Sequence, residues 1–299
     1  MKVLLFGANG QVGFDLKQCL PRQWNVLALN RAEVDLTKHE EIRKAIREFS
    51  PDIVINAAAY TNVDGAQSET ELAHQVNSAA VRVVAEEVKK INAWCIHYST
   101  DYVFDGRKGV AYTETDEPCP INVYGASKLC GEQYLIASGC NYLILRIGWV
   151  YSTRGHNFIK TILSLCQKLE TVEVVADQFG APTSSRFVAA TTSKLVEILH
   201  SNQLGDVSGI YHLAPAGRTS WHDYAKLIST EAELNGLPLR AQADGILAIK
   251  AADYLVSAPR PYNSILDSTK LATTFGIRLP QWEPEVKKAI SQIISLSTA

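Results

Sequence analysis

The first half of the chain repeats one pattern, in which a short apolar run is followed by an amphipathic segment. The apolar runs predict strands at Lys2–Phe6, Asn25–Leu29, Asp52–Asn56, Trp94–Ser99 and Tyr142–Ile147. Helical spacing of apolar residues separates them, over Gln11–Leu20, Lys38–Phe49, Glu69–Ile91 and Val123–Ser138. Because a parallel sheet is buried on both faces, this alternation is typical of parallel strands covered by helices. It predicts an α/β fold with a doubly wound, Rossmann-type parallel sheet.

The first predicted strand leads directly into a glycine-rich turn that opens the first helix. Its glycines, Gly7, Gly10 and Gly13, have GxxGxxG spacing. Gly7 permits a tight turn, Gly10 lets the backbone approach a pyrophosphate, and Gly13 lets the helix pack closely on the strand. The helix N-terminus supplies free N–H groups for the phosphates. A simple strand-to-helix turn is the alternative, but the position at the first strand favours dinucleotide binding.

The regular alternation weakens after about residue 150. Strand-like runs at Thr171–Val175 and Gly209–Leu213 are mixed with helical segments at Ser220–Leu234 and Glu285–Ser295. We therefore predict a dinucleotide-binding core over residues 1–150, to which later segments can return. Residues 151–299 are expected to form a smaller, mainly substrate-binding portion.

The composition limits the classes of partner. The 29 basic and 31 acidic residues leave a formal charge of -2, so neither nucleic acid nor an anionic membrane is an expected partner. The apolar run at residues 3–6 is too short for a signal segment or a membrane span. We therefore expect a cytoplasmic protein. Its six cysteines show no metal-site spacing and are expected to be reduced thiols.

The residues after the second predicted strand bear on the choice of cofactor. A cation there would bind the 2′-phosphate of NADPH, whereas an acid would bind the ribose hydroxyl of NADH. Asn30-Arg31 favours NADP(H), with NAD(H) as the alternative, although Arg31 could be a solvated loop residue. In the following Asp35-Leu36, the acid could bond the adenine amino group or cap the helix that begins near Lys38.

Small residues end the third predicted strand, where Ala57 and Ala59 lie in the run from Asn56 to Tyr60. Ligands bind at the carboxyl edge of open α/β sheets, and small side chains there leave room for a cofactor. The same residues could merely relieve crowding, so they support a cofactor site only together with the glycine turn.

Tyr124 and Lys128 are four residues apart, so a helix places them on the same face. During carbonyl reduction charge grows on the substrate oxygen, and a phenol can supply the compensating proton. A nearby ammonium is expected to lower the pKa of that phenol. Thr100, after the fourth strand, could donate to the same oxygen or bond only within its own turn. His97 is expected to be a buried core histidine.

Ten segments together resemble one family. They are GANGQVG, NAAAYTNVDGAQ, HYSTDYVFDG, NVYGASKLCGE, RIGWVY, DQFGAPT, YHLAPAG, TSWHDYA, RPYNSILD and LPQW. In this order they resemble the dTDP-4-dehydrorhamnose reductases, a family of extended short-chain dehydrogenases, over nearly the whole chain. The resemblance implies hydride transfer from a reduced nicotinamide to C4 of dTDP-4-dehydro-L-rhamnose. The product, dTDP-L-rhamnose, would serve cell-surface polysaccharide such as the O-antigen of lipopolysaccharide.

The resemblance also implies roles for individual residues. Tyr124 becomes the proton donor, Lys128 its helper and nicotinamide-ribose ligand, and Thr100 the hydroxyl contributor. The implied cofactor contacts are Gly10, Gln11, Val12, Ala59, Tyr60, Thr61 and Tyr98. The implied substrate contacts are Asp101 and Trp149.

Three further residues lie in segments that could hold the diphosphate or the base of such a substrate: Asn157, Phe158 and Arg260. An arginine suits phosphate because of its fork of donors. Arg260 stands between two prolines, however, and could instead brace a loop.

The chain departs from the family pattern at two places. Several relatives carry an acid where Asn30 stands, which puts NADH use in doubt. Some relatives join subunits through a metal held by acidic residues. Asp15 could serve in such a site, but Arg186 stands where one relative has an acid, so no metal bridge is predicted. A Mg²⁺ requirement and a homodimer stay open.

Two other functions compete with the main interpretation. One is a different enzyme on the same scaffold, either a reductase forming the C4 epimer dTDP-6-deoxy-L-talose or a nucleotide-sugar epimerase. The other is a non-catalytic regulatory subunit, as in a relative that regulates methionine adenosyltransferase. Intact Tyr124, Lys128 and Thr100 argue against the second.

Overall fold

The computed structural model describes residues 1–201 and 204–298. Its central feature is a parallel sheet that has six strands within these residues. In chain order they are β1 (Lys2–Phe6), β2 (Asn25–Leu29), β3 (Ile53–Asn56), β4 (Trp94–Thr100), β5 (Asn141–Ile147) and β10 (Gly209–His212). Across the sheet the order is β10-β5-β4-β3-β1-β2. The predicted doubly wound α/β fold is confirmed.

Helices cover both faces of the sheet. The helices of the first half are α1 (Gln11–Cys19), α2 (His39–Phe49), α3 (Val63–Ser68), α4 (Thr70–His74), α5 (Ala80–Lys90) and α6 (Val123–Ser138). One buried cluster joins the sheet to α1 and to the later helix α8 (Ser185–Ser201). A second cluster joins the opposite face to α2 and α5. Both faces are therefore sealed by apolar packing, as the continuous apolar strands require.

The later part of the chain forms smaller elements. Its strands are β6 (Val150–Tyr151), β7 (Val172–Val175), β8 (Phe179–Gly180), β9 (Thr183–Ser184), β11 (Thr219–Ser220) and β12 (Ile246–Ile249). Its helices are α7 (Phe158–Lys168), α9 (Trp221–Leu234), α10 (Thr269–Phe275) and α11 (Trp282–Thr298). A separate apolar cluster forms where α7, α9 and α11 pack together. Strand β10 lies in the main sheet, so the chain returns to it after residue 150. Within the described ranges, no helix is long and apolar enough to cross a membrane.

The predicted single helix over Glu69–Ile91 is wrong in one respect. The segment forms α4, then a π-helical turn at Gln75–Ala79, then α5. The wider turn fits the close packing of α6, because a Cβ on Gly131 would overlap the carbonyl oxygen of Asn77. The Asn77 amide bonds the main-chain oxygen of Tyr60 and the hydroxyl of Ser127. Tertiary contacts therefore override the regular helical pattern.

This contact predicts that Gly131→Ala destabilises the fold. Alanine raises helix propensity by about 1 kcal/mol, but the clash with the Asn77 carbonyl should reverse the sign and cost about 1–3 kcal/mol. Urea unfolding measures the change in the free energy of unfolding. Gly109→Ala is the matched control, because a Cβ at Gly109 meets nothing within 4 Å. Equal stability of the two variants would contradict the packing argument.

Candidate active site

The glycine turn joins the ends of β1, β2 and β3. Gly7 has a φ of 83°, and its N–H donates to the oxygen of Leu29 at 2.9 Å. A Cβ on Gly13 would overlap the carbonyl oxygen of Gly7, so this glycine permits the close approach of helix and strand. Gly10 occupies the N-cap position of α1 and supplies no side-chain cap. The first-turn N–H groups of Gln11 and Val12 are therefore available to an anion.

The residues after β2 bond mainly with one another. The side chain and N–H of Asn30 both donate to Glu33. Arg31 is 80% exposed, and its Nε lies 3.9 Å from Asp35. Asp35 accepts from the N–H and hydroxyl of Thr37, and these bonds lower its pKa. The helix-cap alternative for Asp35 is wrong, because Lys38 occupies the N-cap position of α2. Leu36 packs in the core.

The end of β3 lies against the glycine turn. A Cβ on Gly7 would lie 2.7 Å from the carbonyl carbon of Ala57. Beyond Ala59, the N–H of Tyr60 donates to the Asn77 side chain at 2.9 Å, and the Tyr60 hydroxyl donates to Glu69 at 2.6 Å. Thr61 is exposed. The segment is thus held at the sheet edge beside the predicted pyrophosphate site.

The end of β4 brings two predicted site residues, Thr100 and Tyr124, together. The hydroxyl of Thr100 donates to Asp101 at 2.8 Å and accepts from the N–H of Tyr102 at 3.2 Å. The same hydroxyl acts to lower the pKa of the Tyr124 phenol, against the larger effect of burial. Asp101 is buried, and desolvation raises the pKa of its carboxyl to about 6. Thr100 therefore bonds within its own turn, as the alternative interpretation stated, and still lies beside the predicted proton donor.

Helix α6 is held against this turn at its N-terminus. The side-chain oxygen of Asn122 accepts from the N–H of Gly125 at 2.8 Å, and its amide donates to the oxygen of Pro259 at 2.8 Å. A Cβ on Gly125 would overlap the carbonyl oxygen of Tyr102. The rings of Tyr102 and Tyr124 consequently meet edge to face, with centroids 5.9 Å apart.

Tyr124 and Lys128 lie on the same side of α6, but their ionisation differs from the sequence prediction. Desolvation raises the pKa of Tyr124 to about 12. Burial lowers the pKa of Lys128 to about 8, and Glu132 partly opposes this shift. The Lys128 ammonium donates to the main-chain oxygen of Tyr98 at 2.6 Å. The prediction that Lys128 lowers the pKa of the phenol is wrong here, because burial raises that pKa and Lys128 is not among the groups that shift it. Tyr124 is therefore a phenol at neutral pH.

Tyr98 contributes its main chain to the site. Its ring is buried and turned toward α8, where its hydroxyl bonds the hydroxyl of Thr192 at 2.7 Å. Only its carbonyl faces Lys128. The predicted cofactor contact of Tyr98 therefore cannot come from the phenol in this arrangement.

An aromatic stack surrounds Trp149, a predicted substrate contact. Trp149 has a φ of 51°, and its ring stacks on Trp221 with centroids 3.4 Å apart. The ring centroid of Phe158 lies 4.5 Å from that of Trp221. A Cβ on Gly180 would lie 2.6 Å from Nε1 of Trp149, so that glycine makes room for the indole. Sequence reasoning did not single out Trp221 as a partner of Trp149, although it lies in the quoted TSWHDYA segment.

The polar groups of Asn157 and Arg260 already have partners. Asn157 caps α7, and its amide donates to Ser152 at 2.7 Å and to Gln11 at 3.2 Å. Arg260 forms a two-pronged ion pair with Asp64, at 3.1 and 2.6 Å. The loop-bracing alternative for Arg260 therefore matches the structure, whereas phosphate binding by these residues stays a prediction.

A glycine turn and a Tyr–Lys pair at one edge of a doubly wound parallel sheet define the short-chain dehydrogenase class. Residues 1–295 match the family model described as the RmlD substrate binding domain. The chain belongs to this family, and the resemblance to dTDP-4-dehydrorhamnose reductases is confirmed.

Individual relatives agree along the full length. The chain is 43% identical to a dTDP-4-dehydrorhamnose reductase of Burkholderia thailandensis, over 99% of this chain and 100% of the relative. It is 39% identical to one from Escherichia coli K12, over 99% of both chains. The crystal structure of the Bacillus anthracis dTDP-4-dehydrorhamnose reductase in complex with NADP has a TM-score of 0.87, with 31% identity over 99% of both chains.

The N-cap of α6 yields a stability prediction. Asn122→Ala removes the cap and leaves the Pro259 carbonyl without its partner, so we expect a loss of about 1 kcal/mol from the cap and a similar amount from the second bond. Asn122→Ser keeps a capping oxygen but not the amide donor, places no second acceptor against the Pro259 carbonyl, and should lose less. Urea unfolding of both variants measures the two contributions. Equal losses would show that the cap contributes nothing.

Proposed function

We propose that this protein reduces the C4 keto group of dTDP-4-dehydro-L-rhamnose to dTDP-L-rhamnose, with NADPH as hydride donor. One observation carries the proposal: Thr100, Tyr124 and Lys128 meet at the carboxyl end of β4, on the sheet edge that also carries the glycine turn. The names of the relatives from Burkholderia thailandensis and Escherichia coli support this substrate. The role of the product in O-antigen and other cell-surface polysaccharide is part of the same proposal.

The residues suit proton delivery to a carbonyl oxygen. When bound, the nicotinamide supplies the hydride that adds to C4, and the C4 oxygen then takes the phenolic proton of Tyr124. A pKa of about 12 keeps this proton on the phenol at neutral pH. Thr100 can hold the same oxygen by its hydroxyl, and Lys128 supplies positive charge next to the phenolate that forms. Solvent protons restore the phenol.

The glycine turn fits a dinucleotide. The N-terminus of α1 has no side-chain cap, and a Cβ at Gly13 would block the close helix approach. We propose that Gly10, Gln11 and Val12 hold the pyrophosphate. We further propose that the exposed Arg31 binds the 2′-phosphate of NADPH, which agrees with NADP in the Bacillus anthracis relative. NADH stays the second candidate.

The later part of the chain would hold the sugar nucleotide. We propose that residues 1–150, with the returning strand β10, form the cofactor core, and that most of residues 151–299 form the substrate portion. The stacked Trp149 and Trp221 offer a flat apolar surface for a sugar or a base. Asp101, buried beside Thr100, is the proposed polar substrate contact. We also propose a cytoplasmic location, where nucleotide sugars and NADPH occur, and a homodimer.

Replacement of the proton donor tests the proposed chemistry. Tyr124→Phe removes the acidic proton while keeping the ring, and should lower kcat by a factor on the order of a hundred or more. The decrease of nicotinamide absorbance with dTDP-4-dehydro-L-rhamnose measures turnover. Tyr134→Phe is the control, because this phenol lies on the same helix and is 40% exposed. Near-normal turnover of Tyr124→Phe would reject the role.

The cofactor preference is tested at Arg31. Arg31→Ala should raise the Kd for NADPH more than the Kd for NADH, because only NADPH carries the extra phosphate. Fluorescence titration of both cofactors measures this, with the exposed Arg22→Ala as a control for general loss of positive charge. An equal change for both cofactors would remove Arg31 from the proposed phosphate site.

Product identification separates the rival functions. Chromatography of the product formed with NADPH distinguishes dTDP-L-rhamnose from its C4 epimer, dTDP-6-deoxy-L-talose. An epimerase would interconvert sugar nucleotides without net consumption of NADPH. A regulatory subunit would consume no NADPH with any dTDP-4-keto sugar and would co-purify with a partner enzyme.

A further inference from the structure

Arg154 is a charged residue close to the glycine turn to which the proposed function assigns no role. It lies in the loop of residues 152–157, between β6 and α7. The residue is exposed, and its guanidinium carbon lies 4.1 Å from the ring centroid of Phe14 on α1. In the described part of the chain, this guanidinium forms neither an ion pair nor a hydrogen bond. Its donors are therefore available to an anion.

The loop that carries Arg154 is fixed at both ends. Ser152 and Asn157 are buried, and the hydroxyl of Ser152 accepts from the N–H of Arg154 at 3.2 Å. The amide of Asn157 donates to the main-chain oxygen of Ser152 at 2.7 Å. Between them, Gly155 has a φ of 68°, in the left-handed region that favours glycine. These contacts make the loop a tight turn that defines the main-chain position of Arg154.

This loop lies against the first turn of α1. The Asn157 amide also donates to the side-chain oxygen of Gln11 at 3.2 Å, and a Cβ on Gly155 would lie 3.6 Å from Cγ of the same glutamine. Gln11 begins α1, and the N–H of Phe14 donates to the oxygen of Gly10 at 2.9 Å. Helical side chains lean toward the N-terminus of their helix. The Phe14 ring therefore holds the guanidinium near the free N–H groups of that end.

A guanidinium that rests on an aromatic ring suits a diphosphate. The ring face attracts the cation and restricts the positions of a long, flexible side chain. The N–H donors at the edge of the guanidinium stay available, and two of them can bind phosphate oxygens at once. The helix N-terminus offers only partial positive charge, so Arg154 would supply the full charge that the main chain lacks.

Two diphosphates would occupy the proposed enzyme, one in the dinucleotide and one in the sugar nucleotide. The contacts favour the dinucleotide. Gln11 and Phe14 belong to the same helical turn whose N–H groups are proposed to hold its pyrophosphate, and both contact the loop that carries Arg154.

We propose that Arg154 is a cofactor-binding residue whose guanidinium, seated on Phe14, binds the pyrophosphate of NADPH. This role rests on the proposed function, to which the pyrophosphate site at Gly10 and Gln11 belongs. Because NADPH and NADH share the pyrophosphate, Arg154 contributes equally to both. Arg31, by contrast, is proposed to bind the 2′-phosphate that only NADPH carries.

Binding of ADP-ribose tests the proposal. This probe carries the pyrophosphate but neither the nicotinamide nor the 2′-phosphate, and calorimetry with the full chain measures its Kd. In Arg154→Gln we expect the Kd to rise about tenfold, because a charged donor is lost. The Kd values of NADPH and NADH should rise by the same factor. Arg154→Lys keeps the charge without the fork of donors and should recover part of the affinity.

Two further variants complete the experiment. Phe14→Leu removes the ring under the guanidinium but keeps an apolar side chain, and should raise the Kd for ADP-ribose about threefold. Arg82→Gln is the matched control, because the Arg82 guanidinium carbon lies 5.7 Å from the ring centroid of Tyr134. Its helix, α5, packs on the opposite face of the sheet from α1, so the Kd should not change.

A parallel titration with dTDP separates the two diphosphates. The Kd for dTDP should be unchanged in Arg154→Gln, which also shows that the variant is folded. An unchanged Kd for ADP-ribose would overturn the proposal, and so would a weakening of dTDP alone, which would assign Arg154 to the sugar nucleotide. If the unmodified protein binds ADP-ribose but reduces no dTDP-4-keto sugar, the proposed reduction fails, while the titrations still decide the role of Arg154.

Discussion

The hydrogen bond from the Lys128 ammonium to the Tyr98 carbonyl is the contact on which the arrangement of the site depends. It ties α6 to the central strand β4 at 2.6 Å. Because Tyr124 lies one turn before Lys128, the same contact sets the rotation of the helix and brings the phenol beside Thr100. The contact requires burial of a charge, which favours the neutral amine. The carbonyl at the sheet edge offsets that cost.

Close approach of main chains makes this geometry possible. Gly125 and Gly131 lie on α6, and a Cβ on either would overlap a carbonyl oxygen of the neighbouring segment. One neighbour is the turn after β4, which carries Thr100. The other is the π-helical turn, whose Asn77 also holds the main chain of Tyr60 beside the proposed cofactor site. Packing of α6 therefore connects the proposed catalytic and cofactor regions mechanically.

Much of the first half could be predicted because its signals are local. Helix α6 has the bounds that its spacing predicts, and β1 and β2 match to the residue. The glycine turn and the Tyr124–Lys128 pair were recognised because each needs few residues at short spacing. The π-helical turn depends on packing against α6, and the ion pair of Arg260 with Asp64 and the stack of Trp149 on Trp221 join segments far apart in the chain. No local pattern reveals such contacts.

The sequence by itself determined the fold class, the glycine turn and the identity of the proposed proton donor, because apolar periodicity and short motifs are properties of neighbouring residues. The tertiary structure decided the ionisation of these groups and the direction of their side chains. Burial, which keeps Tyr124 a phenol and lowers the proton affinity of Lys128, arises from segments that meet only on folding. The direction of the Tyr98 side chain was likewise decided by the tertiary structure, because its ring packs against α8 and only its carbonyl reaches the site.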